Sequence, residues 1–177
     1  MRIPIFLSYS TPYTVRQEKF IADVKNYLLA RGLEPRTLGV TDYDTDEPLV
    51  ASRRLMMESN GLITMAFRRY FIAKGVEKPG TPKEVKINNQ FFSSVWCQIE
   101  SAMAFQLGLP ILIFREKGVI ADGVLEKGVV GTYLSEFDLS NSPESYLDSA
   151  EWRQIIGEWE GYVRAVRKAK GKPPKLY

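Results

Sequence analysis

The chain has 177 residues, 45% of them hydrophobic, and a formal charge of +3 from 24 Lys and Arg against 21 Asp and Glu. That length fits one domain, large enough to bury roughly 70% of the surface its unfolded form exposes. With no histidine and a single cysteine, Cys97, the chain cannot build a Ser-His-Asp or Cys-His pair, a Cys/His zinc site or an internal disulfide, so carboxylates, hydroxyls, Lys and Arg must carry any chemistry.

Short β-branched or apolar runs alternate with longer helical patterns along the chain, the signature of a parallel sheet covered by helices. Residues 3–8 read as the first strand. An amphipathic helix follows over 15–31, with Phe20, Ile21, Val24, Tyr27 and Leu28 inward and Gly32 closing it. The second strand is expected at 34–38. Its exit, Asp42-Tyr43-Asp44-Thr45-Asp46, spaces acids as a calcium loop does, but Glu47 stands where such a loop needs Gly and Arg53 where it needs a bidentate Glu. Helix-capping acids in a mobile loop account for the segment better, with Pro48 opening a helix over 48–59. The near-continuous apolar run at 61–67 reads as a central strand.

Residues 68–93 contain Gly75, Pro79, Gly80 and Pro82 and are expected to form a binding loop, a lid or a flexible segment. They feed a helix around Trp96 that Gly108 ends. At 3.6 residues per turn, Trp96, Ile99, Glu100, Met103 and Leu107 share the face expected to turn inward. A carboxylate there is paired, protonated or useful, and a structural Arg partner is one way to satisfy it. Cys97 reads as a buried, inert thiol. The fourth strand is expected at 110–114, a fifth within 129–139 and a last helix over 151–168. The whole is a single domain, 1–170, with a basic, Pro-containing tail at 171–177.

The expected fold class is α/β: a flavodoxin-like three-layer sandwich around a five-stranded parallel sheet of order 2-1-3-4-5. That order places a ligand crevice beyond the carboxyl ends of strands one and three, where the strand order reverses. The turn after strand one supplies Ser8, Tyr9, Ser10 and Thr11, and the turn after strand three supplies Arg68 and Arg69. These groups could hold a phosphate or ribose, or could cap a helix and pair with surface acids. No Walker phosphate loop and no G-x-G-x-x-G occurs. No apolar run reaches the roughly 18 residues that span a bilayer, and the first residues lack the pattern of a signal peptide. A cytoplasmic protein without a membrane partner is expected. The basic C-terminal residues lack interleaved aromatics, so nucleic acid is not an expected partner either.

Phe6-Leu7-Ser8-Tyr9-Ser10 and, later, Ser94-Val95-Trp96-Cys97-Gln98-Ile99-Glu100 resemble the Toll/interleukin-1 receptor (TIR) domain family over most of the chain. That family opens with an F-[IL]-S-Y-like strand and carries an S-x-W-C-x-x-E helix start, whose Glu cleaves NAD in enzymatic members. Glu100 matches that position. The resemblance implies an NAD glycohydrolase or ADP-ribosyl cyclase: Glu100 catalytic, Ser8, Tyr9, Ser10, Arg68 and Trp96 binding substrate, NAD as substrate rather than cofactor, and no metal. It further implies a homo-oligomer in prokaryotic antiphage defence, with a separate effector protein sensing the product. The same signature occurs in TIR domains that act only as interaction scaffolds. The segment 99–111 also resembles the Glu-bearing helix of nucleoside 2-deoxyribosyltransferases, whose Glu attacks the deoxyribose.

Overall fold

The computed structural model describes residues 2–140 and 144–170; the expected tail at 171–177 lies outside the described residues. Strand β1 (Ile3–Tyr9) leads through helix α1 (Val15–Ala30) to β2 (Leu33–Arg36), and helix α2 (Pro48–Glu58) to β3 (Leu62–Ala66). Two further strands, β4 (Tyr70–Glu77) and β5 (Val85–Phe92), precede helix α3 (Val95–Gln106) and strand β6 (Ile111–Arg115). A 3₁₀ turn at Gly123–Leu125, β7 (Thr132–Tyr133), the short α4 (Glu144–Leu147) and the long α5 (Ala150–Lys170) complete the order.

The main sheet runs β2-β1-β3-β6-β7 with every pairing parallel. This is the expected 2-1-3-4-5 order once the β4–β5 pair, which forms its own sheet, is set aside. Alternation along β1 divides the core. Ile5 and Leu7 face the α1 and α5 layer, whereas Phe6 joins Leu55, Met56 and Ala104 of the α2 and α3 layer. On α5 the buried residues Trp152, Ile156, Trp159 and Val163 recur at helical spacing, each burial contributing about 1.5–3 kcal/mol. The two-residue terminal strand β7 is entered through Gly131 at φ +58°, where an added Cβ would lie 2.5 Å from the Ile111 carbonyl oxygen, so the close approach to β6 requires glycine.

Three expectations need correction. The 68–93 connection is an antiparallel hairpin, Tyr70 paired with Phe92 and Glu77 with Val85. Its base is sewn to the loop after β6, where the Phe91 amide donates to the Gly118 carbonyl and the Ile120 amide to the Phe91 carbonyl. Both of its faces are largely exposed, so it lacks the alternating apolar pattern by which a half-buried strand is read.

The acids at 42–46 do not cap α2, whose N-cap Glu47 makes no side-chain capping bond. Asp42 pairs with Arg36, and Asp44 and Asp46 with Arg54. The inward face of α3 is Cys97, Glu100, Ser101 and Ala104, while Trp96 is 42% exposed and Ile99, Met103 and Leu107 are half-buried. Small side chains on that face let α3 lie close on the sheet, and its large residues take the flanks.

Candidate active site

Glu100 is placed by α3, and α3 by its start. Ser94 caps the helix by accepting from the Trp96 amide at 3.2 Å. One turn past Cys97, Ser101 shares a 2.7 Å hydrogen bond with Thr64 of β3, fixing the helix's rotation over the sheet. Glu100 then stands above the end of β1, where the Ser8 hydroxyl donates to its Oε2. From α2 the Ser52 hydroxyl reaches Oε1 at 3.5 Å. Three elements meet on one carboxylate.

That carboxylate is 9% exposed, and among the described residues no cation is paired with it. Burial therefore dominates and pushes its pKa up to about 7, against the smaller downward pull of the Ser8 and Ser52 hydroxyls. The same environment pushes the Cys97 thiol up to about 12, through burial first and the Glu100 charge second, so Cys97 stays an unreactive thiol at neutral pH.

Glu100 opens onto a cleft of about 430 Å³ at the carboxyl ends of β1 and β3. Tyr9, Ser10 and Thr11 line it from the first turn, and Trp96, Ser94 and Arg69 from the opposite side. The floor and third wall come from Thr37, Leu38 and Gly39 after β2 and from Pro48 and Ser52 of α2. Thr37 is drawn in by its hydroxyl, which donates to the Leu7 carbonyl at 2.9 Å.

Of the residues singled out in the sequence, Glu100, Ser8, Tyr9, Ser10 and Trp96 come together here, Ser8 buried behind the carboxylate and Trp96 at the rim. Arg68 does not line the cleft. Its Nε donates to the Lys117 carbonyl at 2.7 Å, its guanidinium lies over the Phe91 ring, and its backbone amide donates to the buried Glu116. The neighbouring Arg69 lines the cleft instead, its guanidinium 5.6 Å from the Tyr70 ring centre. Sequence reading missed Ser52 and the β2 exit. Ser52 carries a signal, a polar residue within the buried set Ala51, Ser52, Leu55 and Met56 of α2; the β2 exit has none, because an irregular turn shows no periodicity.

Chemically, the cleft offers one carboxylate that changes charge near neutral pH, a guanidinium suited to phosphate, hydroxyls suited to ribose, and aromatic faces for a planar ring. No helix of the described residues is long and apolar enough to cross a membrane.

No family model matches the chain, and no curated protein matches it. Among solved structures it is similar to the Clostridium botulinum CMP N-glycosidase BcmB, at 15% identity and TM-score 0.49, over 82% of this chain and 99% of that one. It is similar to the TIR domains of the activated Roq1 resistosome that directly recognises the pathogen effector XopQ, at 12% identity and TM-score 0.43, over 94% and 84%. It is also similar to RosB with its bound intermediate 8-demethyl-8-formylriboflavin-5'-phosphate, at 12% identity and TM-score 0.42, over 98% and 82%. Any functional reading therefore has to rest on the residues of the cleft.

Proposed function

We propose that the protein cleaves the N-glycosidic bond of NAD, with Glu100 as the catalytic carboxylate. The observation that carries this reading is the carboxylate itself: buried, held by hydroxyls rather than by a cation, and facing a cleft at the strand-order switch. A purely structural acid in that position would be stabler neutralised by a partner. The sequence resemblance to the TIR family at the end of β1 and the start of α3 supports NAD as the particular substrate.

The chemistry needs no histidine. Nicotinamide in NAD is already cationic, so when the C1′–N bond breaks the electron pair neutralises the pyridinium and no acid is required. Positive charge passes to the ribosyl C1′ and ring oxygen, where an ionised Glu100 stabilises it in a site of low dielectric. Ser8 and Ser52 hold the two carboxylate oxygens, and the Glu100 side chain lines the cleft. Arg69 takes a phosphate, and Trp96 supplies a stacking face. Water then adds at C1′, giving ADP-ribose and one proton, which Glu100 accepts. Where the substrate's own adenine or a ribose hydroxyl adds in place of water, the product is cyclic. In this reading the protein is cytoplasmic, works as a homo-oligomer and makes its product for a separate effector in antiphage defence.

The test incubates wild type and Glu100→Gln, at high protein concentration, with NAD and separately with a deoxynucleoside plus a free base, followed by chromatography and mass spectrometry. Nicotinamide release by wild type alone is the expected result, and the mass of the second product separates hydrolase from cyclase. Base exchange on the deoxynucleoside would replace this reading with the transferase. Consumption of neither by folded, assembled protein would leave a scaffold.

A further inference from the structure

A second cavity, about 490 Å³, lies on the other side of the sheet's carboxyl edge, between α1 and the β2 exit. It shares Tyr9, Thr11, Thr37, Leu38 and Gly39 with the Glu100 cleft, so the two meet along one rim. The alternation of β1 explains the split: Ser8 points to Glu100, and Tyr9, one residue on, points to α1. There the Lys25 Nζ donates to the Tyr9 hydroxyl at 2.9 Å and sits 5.2 Å from that ring's centre. Lys25 is half-buried, and among the described residues the hydrogen-bond partner of its ammonium is the Tyr9 hydroxyl rather than a carboxylate. Pro12, Ile21 and Ala22 give the rest of this wall an apolar surface, while Glu18 stands two turns earlier on α1, about 10 Å from Lys25 along the axis.

We propose that this cavity is a second subsite that takes the adenosine monophosphate half of the dinucleotide, an inference that rests on the Glu100 reading. The pyrophosphate crosses the shared rim beside the Thr11 hydroxyl, and the Lys25 ammonium meets the phosphate nearer the adenosine. The adenine lies on the apolar wall, and the Glu18 carboxylate, at the far end, accepts from hydroxyl or amino groups rather than facing the phosphates. The two cavities, about 430 and 490 Å³, share one rim, so a ligand of two linked halves can span both.

The experiment is calorimetric titration of the full chain with ADP-ribose and, separately, with ribose 5-phosphate, which carries only the half facing Glu100. Wild type should bind ADP-ribose at least about tenfold more tightly, the worth of one charge-assisted hydrogen bond plus the adenine contact. Lys25→Met should cut that margin to about two- to threefold, and Ala22→Trp, at an exposed position that fills the cavity, should remove it. A wild type without the margin, or a margin that survives both variants, would overturn the subsite. Cleavage of NAD judges Glu100 separately: a variant-sensitive margin without cleavage keeps the subsite and discards the catalytic reading, and cleavage without a margin does the reverse.

Discussion

Two glutamates of this protein are buried to nearly the same degree and are treated in opposite ways. Glu160, on α5, pairs with Arg31 from the end of α1 and with Arg164 one turn on, and Arg164 also donates to the Arg31 carbonyl at 2.8 Å. Glu100, on α3, has among the described residues the Ser8 and Ser52 hydroxyls as partners and a cleft in front of it. Glu160 fastens the last helix to the first. Glu100 joins α3 to β1 and α2 through hydroxyls alone, and burial raises its proton affinity well above that of an ordinary carboxylate. Burial is common to both acids; the cavity in front of Glu100 and its hydroxyl partners are what separate it from Glu160 and motivate the proposed role.

The same substitution at both sites separates the two acids. Glu100→Gln should lower turnover about a thousandfold or more, while Glu160→Gln should leave turnover within about twofold, both read by nicotinamide release. The stability effects should reverse. Glu160→Gln should cost about 1–2 kcal/mol in denaturant unfolding, less than the removal of a fully buried partner, because Arg31 and Arg164 are 40% and 49% exposed and water rehydrates them.

Glu100→Gln should instead raise the melting temperature, and the sign follows from linkage. The folded protein holds the Glu100 proton up to about pH 7 and the unfolded chain releases it near 4.5, so wild-type stability falls as pH rises between those values and stays low above them. The variant should gain roughly several degrees at pH 8 and almost nothing at pH 4, measured by calorimetry at both. Smaller effects sharpen the picture. Ser8→Ala removes a donor to the ionised carboxylate and should move the pH profile of turnover upward by a few tenths of a unit. Trp96→Ala, at the exposed rim, should raise KM severalfold and leave the melting temperature within about a degree.

The sequence was informative wherever periodicity speaks. The alternation of strands with helices, the four longer helices and the positions of β3 and β6 to within a residue follow from apolar runs and their spacing. The strand order was supplied by the flavodoxin-like expectation, and Glu100 stood out because its residue type contradicts its position. The rotation of α3 was misjudged, since large apolar residues suggest an inward face whereas the sheet accepted the small ones, Cys97, Ser101 and Ala104. The hairpin over Tyr70–Glu77 and Val85–Phe92 stayed hidden because it buries neither face. The short α4 was likewise missed. Choosing between adjacent Arg68 and Arg69 required the fold: the Arg68 backbone amide is held by Glu116, which also accepts from Gln17 at 3.0 Å. That network turns one arginine toward Phe91 and leaves the other on the cleft.

In the proposed reaction Glu100, buried and without a cation among the described residues, performs the chemistry. The decisive measurement is the rate of nicotinamide release from NAD across pH 5 to 9, in wild type and Glu100→Gln, with melting curves on the same samples. Wild-type release should rise through a single ionisation near pH 7, and the variant should stay inactive at every pH while melting no lower than wild type at pH 8. Release that persists in the variant, or is lost only where the variant unfolds, would contradict this role and leave Glu100 a structural acid like Glu160.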